Sequence, residues 1–169
     1  IQTENEAVAR KSFTLLRKTF NIETAIVIRE GSHLKRGKVY LVEVTDPART
    51  EEVLQGTKLS VDNETGLLEM DNSLVVQRAF IRGTFLSSGS ISDPEKGYHF
   101  EIVCPDSRKA EQLQGIIRSF HVEAKIVVRK KSYVVYVKEG AQIVDMLAVM
   151  EANVALMDLE NIRILKEMR

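Results

Sequence analysis

Apolar and polar positions divide the chain into segments of two periods. Residues 3–19 carry Val8, Ser12, Leu15, Leu16 and Thr19 at helical spacing, with Thr3 placed to cap and Glu6 three residues on, as in a capping box. Residues 24–30 alternate and are β-branched, 31–37 turn, and 38–45 read as the hairpin partner. Asp46-Pro47 opens a short helix to about residue 55, since proline suits a first helical turn. Residues 74–88 predict a helix with apolar Leu74, Val75, Ala79, Ile81, Phe85 and Leu86, and Gly89 is placed to end it. A hairpin follows, 90–92 returning as 98–104 around Asp93-Pro94. Asp106 then caps a helix to about residue 120. Strands are predicted at 123–130 and 132–138, and helices at 139–150 and 153–169.

The pattern occurs twice. Residues 15–29 (LLRKTFNIETAIVIR) and 116–129 (IIRSFHVEAKIVVR) fall into register when one residue is dropped before the phenylalanine, so that Arg17/Arg118, Phe20/Phe120, Glu23/Glu123 and Arg29/Arg129 correspond. Each copy runs on into a second β-rich stretch, 38–44 and 132–137, with Tyr40 and Tyr133 at matching places and expected to pack within the sheet. A long period repeated only twice is no solenoid; it predicts a mixed α/β (α+β) domain with a pseudo-dyad. The second copy reads α-β-β-α-β-β-α. Its junction 102–106 aligns with residues 1–5, and about thirty residues ahead of that junction have no counterpart in the first copy. The expectation is a fragment, or an untraced N-terminal segment, whose helix would pair with 74–88. The expected organisation is a first half at 1–56, incomplete at its N-terminus, a linker at 57–73, a second half at 74–152 and a helical tail at 153–169.

Composition is that of a globular chain, 44% apolar and 28% charged, with a net charge of zero and no apolar run long enough to span a bilayer. The lone Cys104 excludes an internal disulfide and fits a reducing cytoplasm, and three scattered histidines give no metal-ligand spacing. Charge is unevenly spread: 29–38 and 125–131 are basic and occupy equivalent places in the two copies, whereas 43–71 is mainly acidic. Nucleotide-binding glycine loops and hydrolase-type nucleophile sets are absent from the sequence.

Residues 78–91 read RAFIRGTFLSSGSI. Gly83 within a helix costs about 1 kcal/mol against alanine and so calls for a packing reason. With Ser87 one turn on, and Gly89, it suggests a small-residue face for a second helix. This run resembles the signature helix of LAGLIDADG homing endonucleases, residues 81–89 filling the nine motif positions. Together with ENEAVARKSFTLLRK and the terminal LENIRILKEMR it resembles, over essentially the whole chain, the WhiA family of bacterial regulators. The resemblance implies a LAGLIDADG-like saddle of two half-domains and a helix-turn-helix domain beyond residue 169. It also implies a cytoplasmic, nucleoid-associated role in transcription during cell division, chromosome segregation or sporulation. In active members of the endonuclease family the penultimate motif position is a metal-binding acid; here it is Ser88, a poor ligand for Mg²⁺. No enzyme activity, metal or cofactor is therefore expected, and Asp93, the nearest acid, is a turn former.

The same resemblance implies that the sheet lies along the DNA major groove. Alternation puts Lys125, Val127 and Arg129 on one face and Ile126 and Val128 on the other, against helices; Ala25, Val27 and Arg29 oppose Ile26 and Ile28 likewise. Lys35, Arg36 and Lys38 belong to one hairpin and Lys130 and Lys131 to its counterpart. These basic residues are the candidate contacts to duplex promoter DNA. The runner-up reading is a scaffold that docks a protein partner of transcription or cell division, or the further domain. The third is a metal-dependent endonuclease, against which Ser88 speaks. Neither a membrane nor a small-molecule substrate is expected.

Overall fold

The first helix starts three residues after its predicted cap. Thr3 lies in a short strand, β1 (Gln2–Thr3), and Asn5 caps α1 (Glu6–Phe20), its side-chain oxygen accepting from the N–H groups of Ala7 at 2.9 Å and Val8 at 3.3 Å. Glu6 does not close a capping box from N3: it sits at the first helical position, where its carboxylate meets Arg10 at 3.0 Å. The buried stripe is also displaced from the predicted one. Ala9, Phe13, Leu16 and Phe20 face the sheet, and Leu15 is exposed, because the two phenylalanines one heptad apart select the face with the larger apolar area. β2 (Ala25–Glu30) and β3 (Lys38–Glu43) follow, then α2 (Pro47–Gly56), capped by Asp46 as its sequence predicts.

The computed structural model describes residues 1–30, 38–57 and 72–168. Most of the predicted linker at 57–73 therefore lies outside the described residues, as does the 31–37 turn. The chain divides into two compact units, Ile1–Leu68 and Glu69–Arg169. In the first, an antiparallel sheet of order β1-β3-β2 is backed by α1, and Tyr40 and Val42 meet Ala9 and Leu16 in a small core.

The second unit runs α3 (Leu74–Ser88), β4 (Gly89–Ile91), β5 (Phe100–Cys104), α4 (Ser107–Ser119), β6 (Lys125–Arg129), β7 (Ser132–Val137), α5 (Gly140–Val149) and α6 (Asn153–Glu167). Its antiparallel sheet has the order β4-β5-β7-β6. Phe100, Ile102, Val135 and Val137 point from the sheet into a core shared with Ile81, Leu113, Ile117, Ile143 and Met146, and the Phe85 ring stacks on Phe100 at 5.0 Å. Arg82 and Arg78 reach Glu151 at 2.8 and 3.7 Å, tying α3 to the turn between α5 and α6.

The repeat survives at the level of backbone register. Tyr40 lies between Thr3 and Ile28 across the ladder, and Tyr133 lies between Cys104 and Val128. Both tyrosines point to the helix side, as expected of sheet-packing residues. Both helices preceding the repeated hairpin close on a left-handed residue, Asn21 at φ 51° and His121 at φ 62°. One strand expectation fails in both copies: Ile28 and Val128 do not pack on helices but are 55% and 62% exposed. β2 and β6 are edge strands, with a neighbouring strand on one side only.

Candidate nucleic-acid interface

Antiparallel register assigns every strand residue of the second unit to a face. Opposite the helix side lie Ser90, Glu101, Val103, Ser132, Val134, Tyr136, Lys125, Val127 and Arg129. Lys125 and Arg129 are exposed on this open face, as alternation predicts, and Lys130 and Lys131 form the two-residue turn at its edge. Lys130 has φ 57°, the left-handed conformation that such turns usually give to glycine at their first position. Lys125, Lys130 and Lys131 have no ion-pair partner among the described residues.

Arg129 differs from its neighbours. Its guanidinium reaches over the sheet to Glu101 on β5, with Nη2 at 3.2 Å from Oε2 and Nη1 at 3.4 Å from Oε1. His99 Nε2 stands 2.8 Å from the same carboxylate, and an ionised carboxylate can only accept, so the imidazole donates. The hydrogen bond from His99 and then the charge of Arg129 hold the Glu101 carboxyl below its ordinary value, against the opposing pull of partial burial. The His99 ring stacks on Tyr136, and Lys138 Nζ lies 5.2 Å from the centre of the same Tyr136 ring. His99, Glu101, Tyr136 and Lys138 are absent from the sequence-based set. The signal was present: His99 and Glu101 stand two apart at the start of a predicted strand and so share a face.

In the first unit Arg29 and Lys38 are exposed at the hairpin end of β2 and β3, while Lys35 and Arg36 lie outside the described residues. The open face here is more apolar, with Val27 paired to Leu41 and Arg29 to Val39.

At the end of the signature helix, Ser88 Oγ donates to the Val103 carbonyl at 2.8 Å, so the residue at the motif's acid position ties α3 to β5. Asp93 accepts from Glu95 N–H at 3.0 Å within its turn, the role its sequence suggests. Among the described residues no group of three or more His, Cys, Asp or Glu is placed to hold a metal ion. The three small residues of the helix have different surroundings. A Cβ added at Gly83 meets open space, Ser87 is exposed, and a Cβ at Gly89 would collide with the Phe85 ring and carbonyl of the same helix. Gly89 is extended, at φ −88°, so its need for glycine comes from this close approach and not from a left-handed cap.

Helix-backed antiparallel sheets entered from a LAGLIDADG-like helix define the homing-endonuclease class of fold. The solved structure of the homing endonuclease I-DmoI in complex with DNA and Mn shares it, at TM-score 0.57 and 14% identity over 89% of this chain and 78% of that one. Within that class the chain belongs to the WhiA family: residues 77–169 match the WhiA LAGLIDADG-like domain and residues 1–60 the WhiA N-terminal LAGLIDADG-like domain. Full-length DUF199/WhiA from Thermatoga maritima superposes with TM-score 0.71 at 18% identity, over all of this chain and 52% of that one. The "Probable cell division protein WhiA" of Lachnoclostridium phytofermentans is 56% identical over 100% of this chain and 56% of its own length. The chain thus spans about half the length of such relatives.

Proposed function

We propose that this chain is a duplex-DNA-binding domain that has kept the homing-endonuclease fold without its nuclease chemistry, within a bacterial regulator of cell division, chromosome segregation or sporulation. The observation that carries this is the open face of the second sheet, where Lys125, Arg129, Lys130 and Lys131 stand exposed on one strand and its turn. Lysines with no acidic partner among the described residues suit phosphates, and the Arg129 fork suits a guanine edge. Arg29 and Lys38 are the corresponding candidates within the first unit, with Lys35 and Arg36 beside them in sequence. Catalysis is not part of the proposal, because Ser88 offers a neutral hydroxyl already hydrogen-bonded to backbone. The cellular setting proposed is the nucleoid; no helix among the described residues is long and apolar enough to cross a membrane.

A test is charge reversal at the turn. Lys130→Glu with Lys131→Glu should weaken binding to any duplex and flatten the slope of log K against log salt by about 2, one unit per lost phosphate contact. Unchanged binding and slope would remove the turn from the interface.

A second reading, protein contact, has its own observation. Val75, Val76 and Leu86 on α3 are 73%, 37% and 49% exposed on the side of the helix that carries the open Gly83, an apolar face suited to a helix of a partner or of a further domain. Variants at the turn leave that role intact, whereas Val75→Glu removes it.

A further inference from the structure

Strands β4 to β7 contain a single acid, Glu101, and it stands on the open face among cations. For a surface that meets a polyanion this placement opposes binding, yet the residue is well integrated. Its side chain is only 15% exposed and is held by His99 at 2.8 Å and by Arg129 at 3.2 Å. Arg129 lies opposite Ser132 and Glu101 opposite Tyr136, so their ion pair spans the stretch of β7 that holds Val134. Val134 is 1% exposed although it belongs to the open face and not to the helix-side core. The pair therefore restrains the arginine across the sheet, with its side chain still 57% exposed.

We infer that Glu101 is a specificity-determining residue of this face: it restrains Arg129 and His99 in one hydrogen-bonded set and so withholds the guanidinium from indiscriminate phosphate contact. Discrimination is a difference of affinities, raised as much by penalising the wrong partner as by rewarding the right one. A phosphate approaching this patch meets the repulsion of the carboxylate. A guanine edge offers two acceptors to the free side of the Arg129 fork and keeps its negative charge further away. Arg129 then acts as a base reader while Lys125, Lys130 and Lys131 supply the contacts that ignore sequence. This inference rests on the DNA-binding reading above.

The test uses the whole chain with Glu101→Gln, which keeps shape and removes charge, and with Arg129→Lys, which keeps charge and removes the fork. Affinity for random-sequence duplexes is measured across a salt series, and the sequence bias of duplexes captured from a randomised pool is read out. Glu101→Gln should bind random duplexes about threefold or more tightly at low salt, with a salt slope steeper by about 1, and should capture a less biased pool. Arg129→Lys should lose bias with little change in slope. Adding Arg129→Lys to Glu101→Gln should leave little bias for the second change to remove, since the two act as a unit. If the unaltered chain binds DNA but Glu101→Gln matches it in slope and bias, the inference is overturned while the DNA-binding reading stands. A full bias retained by Arg129→Lys overturns it as well. If the unaltered chain binds no duplex, the DNA-binding reading fails first and the inference with it.

Discussion

Ser88 fastens the end of its helix to the sheet. As the last residue of α3 it donates to the Val103 carbonyl, a contact that an acid in its place cannot make. Ser88→Asp should cost about 1–2 kcal/mol, because an acceptor-only carboxylate would face a carbonyl oxygen and the negative end of a helix dipole. Urea denaturation measures the loss, and a cleavage assay in Mg²⁺ should still find intact strands, since one acid does not supply a two-strand metal site. Glu101 makes a second prediction. Its carboxyl titrates below the ordinary 4.5 in the folded state, so its ionised form stabilises the fold above that value, and the contribution is lost as pH falls through the lower folded value. Glu101→Gln should therefore be the less stable protein at neutral pH, and the gap should close in acid; a gap independent of pH would contradict the assignment. Cys104 is the opposite case. Burial pushes its thiol up, so it should react with alkylating agents only on unfolding.

At the scale of elements, glycines divide by what surrounds them. Gly83→Ala should stabilise the second unit by about 1 kcal/mol, because the added methyl meets open space and alanine is the better helix former. Gly89→Ala should destabilise it, since the methyl would strike Phe85. Thermal or urea midpoints of the two variants should move in opposite directions. A loss on Gly83→Ala would instead show that the open face of α3 is in use. The helices and strands themselves were legible because their periods are strong: α2 and α4 begin on the predicted Asp46 and Asp106 caps. What misled was local. Thr3 is a good cap in isolation, but its partnership with Tyr40 in the ladder draws it into β1 and passes the cap to Asn5. Alternation placed Ile28 and Val128 on the helix side correctly, yet could not tell that both stay exposed on edge strands.

At the scale of the whole chain, the repeat was the most legible feature. The aligned Thr3 and Cys104 do meet equivalent tyrosines, and Asn21 and His121 take the same left-handed conformation. The candidate face was half legible. Lys125 and Arg129 follow from alternation along one strand, but Glu101 comes from a strand two places away and His99 from just before it, and only sheet order brings them to Arg129. Net charge pointed nowhere, since a sum of zero hides a basic strand and turn. The central claim is that this face grips duplex DNA and does not cut it. The direct measurement is fluorescence anisotropy of the chain with labelled duplex across a salt series in Mg²⁺, with both strands checked for breaks afterwards. The account predicts affinity that falls steeply with salt, with a log–log slope of about −3 to −5 for three to five neutralised phosphates, and unbroken strands. Broken strands, or no binding even at low salt, would contradict it.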